Sequence, residues 1–472
     1  MDTQLWYNII LTVLTQCYKV YKLIKSSQHK KLSMRIITQL LAAILTIIIF
    51  IPKASAIPSF SRQASLSCKA CHSQHVPILN GFGQAFKAAG YPIMGTQGTV
   101  EGDGLSIPET LNASMVMKAR YQKSNGASAD LIPGDTTNSG QWQVPDEFSL
   151  YFGGRIAQTV GFFFEGNTSG NRLITGFKLP AAVYIAEAKF SVIPFMTDFQ
   201  GASYGYEQSS TGAAHNVTWA EHRMEISAQQ YIGSDTAATG VAVVAQNDYG
   251  YVNLSRWAPA FTAQQGAAQT LRSTYLRVVA TPTLQLTSGD WSMQLGIQLW
   301  RGSNYAVDTL SGPSGLVPVD TKASALDFQA YGLLYGNELG IYATWAKSPA
   351  GSADQPNILN VGRSSEKLEP TLYRLNERKA WTIGAEYSVI PDTLHIGAAY
   401  RRANTGGFAN STLTPAVAGD SPSDNAMTLT GVYNVTQNLE FHLNHSFYSG
   451  SLYDTPQASG DQLTTFMLEA AW

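Results

Sequence analysis

Residues 381–401 read WTIGAEYSVIPDTLHIGAAYR. Trp381, Ile383, Ala385, Tyr387 and Val389 share one parity; Thr382, Gly384, Glu386 and Ser388 share the other. After Pro391-Asp392 the alternation resumes, with Leu394, Ile396, Ala398 and Tyr400 against His395, Gly397, Ala399 and Arg401. A period of two puts one set on each face of a β-strand. Leu439, Phe441 and Leu443 alternate with Glu440, His442 and Asn444 in the same way. One face suits lipid and the other a polar lumen. A soluble β-sandwich alternates too, so the connections have to decide.

Outward from this stretch, tight turns alternate with long polar loops from about residue 111 to the C-terminus. The turns fall near 157–159, 193–195, 281–283, 336–337, 390–392 and 435–438. The loops, rich in Gly, Ser, Thr, Asn, Asp and Pro, fall near 123–146, 207–218, 302–323, 348–378, 404–424 and 450–460. Short turns on one side and long loops on the other are the habit of outer-membrane barrels. The rule predicts sixteen strands with both termini periplasmic, and the stretch 207–270 leaves 14 or 18 open. In the first half it places strands at 181–192, 196–206, 219–230, 239–247, 271–280 and 284–301. The chain ends on Phe466, Leu468, Ala470 and Trp472 in one parity, resembling the terminal strand by which outer-membrane proteins are recognised for insertion. The expected fold is all-β, a transmembrane antiparallel barrel over 111–472.

Composition agrees. Of the 472 residues only 14% are charged, against about 25% in soluble domains. The first 56 residues hold seven Lys or Arg and one acid, leaving 24 bases against 32 acids in the remainder. An acidic chain without basic clusters argues against a nucleic-acid partner. Three cysteines exclude a disulfide scaffold.

The N-terminus has the layout of an export signal. Lys22, Lys25, Lys30, Lys31 and Arg35 precede the apolar run IITQLLAAILTIIIFI at 36–51, and Ala54-Ser55-Ala56 follows as a small-x-small cleavage site. The mature chain is expected to start near Ile57, with residues 1–56 removed. Met34, just before Arg35, is the expected true start. An uncleaved anchor is the alternative, and the run is short for one. No other stretch in 57–472 is apolar enough for a membrane helix.

Cleavage leaves two cysteines, in Cys68-Lys69-Ala70-Cys71-His72. C-x-x-C-H is the attachment motif for c-type haem. Thiols at this spacing can form thioethers with two vinyl groups, and His72 then ligates the iron. A thioredoxin-like pair needs a βαβ context, which Pro77 and Pro92 break up, and zinc needs further ligands at suitable spacing, where only His75 is near. One covalent haem c is the expected cofactor. For the distal side Met94 is the candidate, beyond the Gly90-Tyr91-Pro92 turn, with Met115 and Met117 as further possibilities. A methionine there would raise the reduction potential. His75 shares a face with His72, which suits a supporting or surface role. Residues 57–110 are too few to fold alone without a staple. They are expected as a helical haem-bearing plug in the lumen, near the outer mouth. Glu386, His395, Glu440 and His442 point into the lumen by parity and could guide a metal ion or merely wet the wall. His215 and His222 read as surface residues.

Taken together, Pro58-Ser59-Phe60-Ser61-Arg62-Gln63, the C-x-x-C-H run with Ser73-Gln74-His75, and Pro77-Ile78-Leu79-Asn80-Gly81-Phe82-Gly83-Gln84-Ala85-Phe86-Lys87 with Gly90-Tyr91 precede a barrel. This layout resembles the fused monohaem cytochrome–porin family of outer-membrane iron oxidases. The resemblance implies that Cys68 and Cys71 hold the haem and that His72 is the ligand through which electron transfer runs. It also implies that electrons pass from extracellular Fe(II) to a periplasmic c-type cytochrome or cupredoxin, making the chain an Fe(II):cytochrome c oxidoreductase. Two other functions stay open: a diffusion porin whose haem segment is only a plug, and a conduit for another extracellular donor.

Overall fold

The computed structural model describes residues 59–103, 105–126, 138–168, 174–198, 200–213, 220, 226–261, 270–287, 289–307, 316–352, 354–360, 374–407, 421–454 and 460–472. The export segment 1–56, His215 and His222 lie outside these.

One antiparallel sheet closes on itself. Its strands are β1 (Ala113–Ser124), β2 (Gln141–Ala157), β3 (Val160–Asn167), β4 (two arms, Gly176–Lys178 and Ala181–Ile185), β5 (Ala188–Thr197), β6 (Ala238–Asn247), β7 (Gly250–Ala258) and β8 (two arms, Ser273–Ala280 and Thr283–Leu286). They continue as β9 (Gly289–Arg301), β10 (Ala323–Leu334), β11 (Asn337–Ser348), β12 (Arg378–Ile390), β13 (Leu394–Asn404), β14 (Asn425–Thr436), β15 (Leu439–Ser449) and β16 (Gln462–Ala471). The sixteenth strand pairs with the first, Leu468 opposite Ala119. The terminal Trp472 adds reciprocal backbone bonds to Met115 of 2.7 and 2.9 Å. Closure leaves no edge whose N–H and C=O groups would face hydrocarbon unpaired.

The alternation sorts side chains as expected. On β12, Thr382, Glu386 and Ser388 are buried on the inner face, while Trp381, Ile383 and Val389 stand exposed outside. His395, Glu440 and His442 are likewise buried inside, and Ile396 and Leu443 face out. Twelve residues rising about 3.4 Å each at a tilt of about 40° span roughly 30 Å, enough for an apolar band of about 25 Å. No helix among the described residues is long and apolar enough to cross a membrane; this chain crosses with strands. It is a closed sixteen-strand β-barrel of the outer membrane, with short turns on the periplasmic side and long loops outside.

Sixteen is the expected number, but not by the expected route. Pro194 lies within β5, not in a turn. It stands opposite the break between the arms of β4, where Leu179 N–H reaches its carbonyl at 3.0 Å, so its missing N–H leaves no gap in a continuous ladder. The turn is at 186–187. Pro282 similarly separates the two arms of β8, and the reversal comes after Leu286. The strand expected over 196–206 stops at Thr197, and 202–205 forms a 3-10 turn. No strand forms in the described part of 219–230, where Ala228–Tyr231 makes a helical turn, α4. β7 is the strand that the sequence count missed. It puts Tyr251 and Trp257 on the inner face, the reverse of the apolar-outside rule, because Tyr251 packs edge-on against Tyr206 at 5.0 Å.

Tyr206 belongs to the long connection 198–237, whose described parts fold into the lumen. Ser210 N–H bonds Gln329 on β10 at 2.7 Å, Ala228 N–H bonds Thr344 on β11 at 2.8 Å, and Thr382 on β12 bonds Ile226 O at 2.6 Å.

A charge on the lipid face should cost most at mid-depth. Ile383→Arg, central on β12, is expected to lower unfolding free energy by about 2–4 kcal/mol, and Val389→Arg near the rim by about 0–1 kcal/mol. Denaturant titration of the protein in lipid vesicles checks both; equal costs at the two depths would contradict the membrane-spanning assignment.

Candidate functional site

Among the described residues three short helices precede the barrel: α1 (Ser59–Ala64), α2 (Cys68–Cys71) and α3 (Gly81–Ala88). Asn80 joins the last two. Its side chain accepts from Gly83 N–H at 2.9 Å, capping α3. Its amide donates to the carbonyls of Lys69 and Ala70 at 3.3 and 3.1 Å. Gly83 has to be glycine, because a β-carbon there would strike the Cys71 carbonyl. Between the helices, residues 73–79 form a closed loop, Ser73 N–H to Ile78 O at 2.9 Å, with His72 bridged to Leu79. Neither Asn80 nor this loop was singled out from the sequence; the cap signature Asn-Gly-Phe-Gly was the signal available.

Cys68 and Cys71 are free thiols, partly buried and on one helical turn. Burial raises both above the ordinary thiol range, so they are held as neutral thiols. His72 follows directly. Burial lowers its pKa, and the nearby Ile78 backbone and Glu440 offset this only in part, leaving a neutral imidazole. Its Nδ1 is buried without a hydrogen-bond partner. Phe82 on α3 keeps an exposed ring. Two unpaired thiols one turn apart, an adjoining neutral imidazole and an uncovered aromatic form a donor set that fits covalent haem c.

This helical segment lies against the inner wall at the short-turn end. Lys69 pairs with Asp392, in the β12–β13 turn, at 2.6 Å. The expectation of a place near the outer mouth is therefore corrected: the motif stands at the periplasmic mouth. The reason is electrostatic and begins at His75, which is buried, not on the surface. His75 Nε2 meets Glu386 at 3.1 Å with both side chains at most 1% exposed, and Nδ1 donates to Val76 O at 2.9 Å. Both ring nitrogens donate, as an imidazolium requires. Burial disfavours that charge, but the Glu386 carboxylate outweighs it and pushes the His75 pKa up to about 9. Glu440 accepts from Val76 N–H at 3.2 Å and faces His442 at 3.3 Å. The His395 and His442 rings each stand 5.8 Å from His75. Gln74 N–H bonds Glu338 at 2.9 Å, and its amide bonds Glu386 O at 3.0 Å.

The four lumenal residues read from parity thus meet around one plug residue. Through the His75–Glu386 pair and the bonds of Gln74 and Val76, the cluster docks the 73–79 loop on the wall.

Met94 is tied to another sector. Gln63 bonds the carbonyls of Tyr91 and Ile93 at 2.7 and 3.0 Å and accepts from Arg155 N–H on β2 at 2.9 Å. Phe60 stacks on Tyr91 at 4.2 Å and approaches Phe163 on β3 at 6.0 Å. Met115 and Met117 lie on β1 with the parity opposite to buried Ser114, Arg120 and Gln122. They face lipid, which removes them as distal ligands.

No family model matches the chain, and no curated protein matches it. Among solved structures it is similar to OmpT of Vibrio cholerae (12% identity over 79% of this chain and 100% of that one, TM-score 0.43). It is also similar to the outer membrane channel DcaP of Acinetobacter baumannii (10%, 80% and 100%, TM-score 0.45). A third is the anion-selective porin from Comamonas acidovorans (11%, 77% and 99%, TM-score 0.44). The assignment to an outer membrane stands on the closed wall and its apolar outer face.

The raised pKa of His75 gives the dock a pH dependence. A group whose folded pKa lies above its unfolded value stabilises fully below the unfolded value, about 6.5, and loses this as pH rises through the folded one. The protection of the amides of residues 68–90, exchange taken relative to its intrinsic rate, should therefore be greatest near pH 6.5 and fall toward pH 9. Glu386→Gln should remove this fall by leaving protection low at both pH values. A flat profile in the unaltered protein would contradict the ion-pair dock.

Proposed function

We propose that this chain is an outer-membrane c-type cytochrome that moves single electrons between a donor outside the cell and a periplasmic acceptor. The observation that carries this reading is the C-x-x-C-H turn fixed by buried charges at the periplasmic mouth of a closed barrel. Haem c, when bound, supplies a one-electron centre. Cys68 and Cys71 would hold it covalently, and His72 would ligate its iron. Asn80 and the 73–79 loop keep the three side chains in register. His75, Gln74 and Val76 anchor the turn to Glu386, Glu338 and Glu440. Lys69, beside Asp392 on the periplasmic rim, lies where a soluble cytochrome or cupredoxin could approach.

Extracellular Fe(II) as donor rests on the family resemblance. Each turnover would oxidise one Fe(II) to Fe(III) and deliver one electron to the acceptor. The alternative is a diffusion porin whose haem segment only plugs it. The sixteen-strand wall suits that role too, since barrels of this size enclose an aqueous channel. Against an open pore stand the helical segment at one end and the described, infolded parts of the connection 198–237 above it. Ile78 of the one and Ala220 and Ile226 of the other share a buried apolar cluster with Tyr342 and Ala399.

Cys68→Ala with Cys71→Ala should abolish haem peroxidase staining on a denaturing gel while the barrel still shows a heat-shifted band; retained staining refutes covalent attachment. Stopped-flow mixing of the holoprotein with Fe(II) should reduce the haem and, with a c-type cytochrome present, sustain turnover. In planar bilayers the intact protein should conduct little and a variant lacking residues 57–105 should conduct strongly. Open-porin conductance of the intact protein, without Fe(II) turnover, would favour the diffusion reading. If Met94 is the distal ligand, Met94→Ala lowers the reduction potential; an unchanged potential and spectrum assign the position to another group.

A further inference from the structure

At the other end of the lumen a second charged group has no part in the function proposed above. Arg378 opens β12 and Arg401 nears the end of β13, so both stand at the external end of the wall. Their guanidinium carbons lie 4.1 and 4.6 Å from the centre of the Tyr231 ring, on the helical turn α4 of the infolded connection. Arg374 is close enough to act on the same phenol. All three arginines are more than nine-tenths buried, and Tyr231 is 1% exposed. Arg401 is paired with Asp424 at 2.9 Å, and Tyr453 also donates to that carboxylate at 3.1 Å. Arg374 donates to Asn360 O at 3.2 Å.

Arg378 differs. Its Nε and Nη1 are buried with no hydrogen-bond partner, and no carboxylate among the described residues pairs with it. The Tyr231 ring beneath offers a cation–π contact, which leaves the N–H groups unsatisfied. A guanidinium taken out of water costs several kcal/mol unless it is paired, and its planar fork matches the oxygens of an oxyanion. Among the described residues the neighbouring carboxylate that could compete, Asp424, is engaged by Arg401 and Tyr453. The other acid beside Arg378 in sequence, Glu377, pairs with Lys347 and Lys379.

We propose that Arg378, with Arg374 and Arg401 around Tyr231, forms a binding site for a small divalent oxyanion at the external end of the lumen. Phosphate and sulfate share the required chemistry: tetrahedral oxygens for several N–H donors, and two charges to set against converging guanidiniums. A monovalent carboxylate supplies less charge and fewer oxygens. Arg378 and Arg401 lie at the ends of their strands opposite the Asp392 turn, where Lys69 docks.

Calorimetric titration of the full-length protein in detergent, at ionic strength held constant with sodium chloride, tests this with sodium sulfate, sodium phosphate and sodium acetate. Sulfate and phosphate should bind saturably at one site, and acetate at least about tenfold more weakly. Arg378→Gln should weaken sulfate binding by about tenfold or more. Asp424→Asn removes the competing negative charge and should tighten it. If Arg378→Gln does not fold, as judged by its heat-shifted band, Asp424→Asn decides alone: tighter binding supports the site, and unchanged or weaker binding overturns it. Absence of saturable sulfate and phosphate binding by the unaltered protein, or an Arg378→Gln variant with unaltered affinity, also overturns it.

Discussion

Hydrocarbon offers no hydrogen-bond partner to a peptide group, and every other feature of this molecule follows from that constraint. The sheet must close, and it does so through β1, β16 and the backbone bonds of Trp472 to Met115. Closure with a lipid-facing exterior fixes the parity of each strand. Fixed parity then gathers the polar side chains inside. Glu338, Glu386 and Glu440 arrive near the periplasmic end, and Arg378 and Arg401 near the external end, because each lies at a set distance along an inward-facing row. The plug meets carboxylates for the same reason that Ile383 meets lipid.

The plug uses this wall in two ways. On the side of β2 and β3 it packs by aromatic contact, with Phe60 stacked on Tyr91 and against Phe163 and Phe86 edge-on to both Phe60 and Tyr91. On the side of β12 to β15 it docks by charge. The Lys69–Asp392 contact is exposed and worth little, about 0–1 kcal/mol. The His75–Glu386 pair is buried and different in kind. Removing one partner strands the other charge away from water, a loss of several kcal/mol. Buried pairs specify position more than they add stability, and here the position specified is that of Cys68, Cys71 and His72.

Where the sequence was legible, the outcome was decided by neighbours along the chain. The parity of 381–401 and 439–444 could be read because a strand displays both faces within four residues. The placing of Cys68 and Cys71 on one helical turn could be read because a spacing of three residues is local. The strand boundaries at 193–195 and 281–283 were misread because a proline inside a strand looks like a turn until its partner strand is known to break opposite it. The fate of 198–237 was invisible for a stronger reason. Ser210 finds its partner 119 residues away at Gln329. His75 was assigned a supporting or surface role since nothing within reach of residue 75 shows that residue 386 is its counter-ion. Conversely, inward carboxylates near the short-turn end need cations, and a plug rising from the periplasm must supply them.

The two clusters also divide the lumen by charge. Acids gather around the plug at the periplasmic mouth, and guanidiniums gather beneath the external loops. Between exposed charges such a gradient would fade over about 8 Å at physiological salt, but these groups are buried behind low-dielectric walls, where screening is weak. A free dication entering from outside would meet these arginines beside Asp424, whereas an anionic species would be drawn to Arg378, which no described carboxylate pairs. An oxyanion seated against Arg378 would cancel that barrier in part. The electrostatic profile of the barrel would then be a property of what occupies its external end, and on the function proposed above the charge of a donor would determine how deeply it enters toward the Cys68–His72 turn.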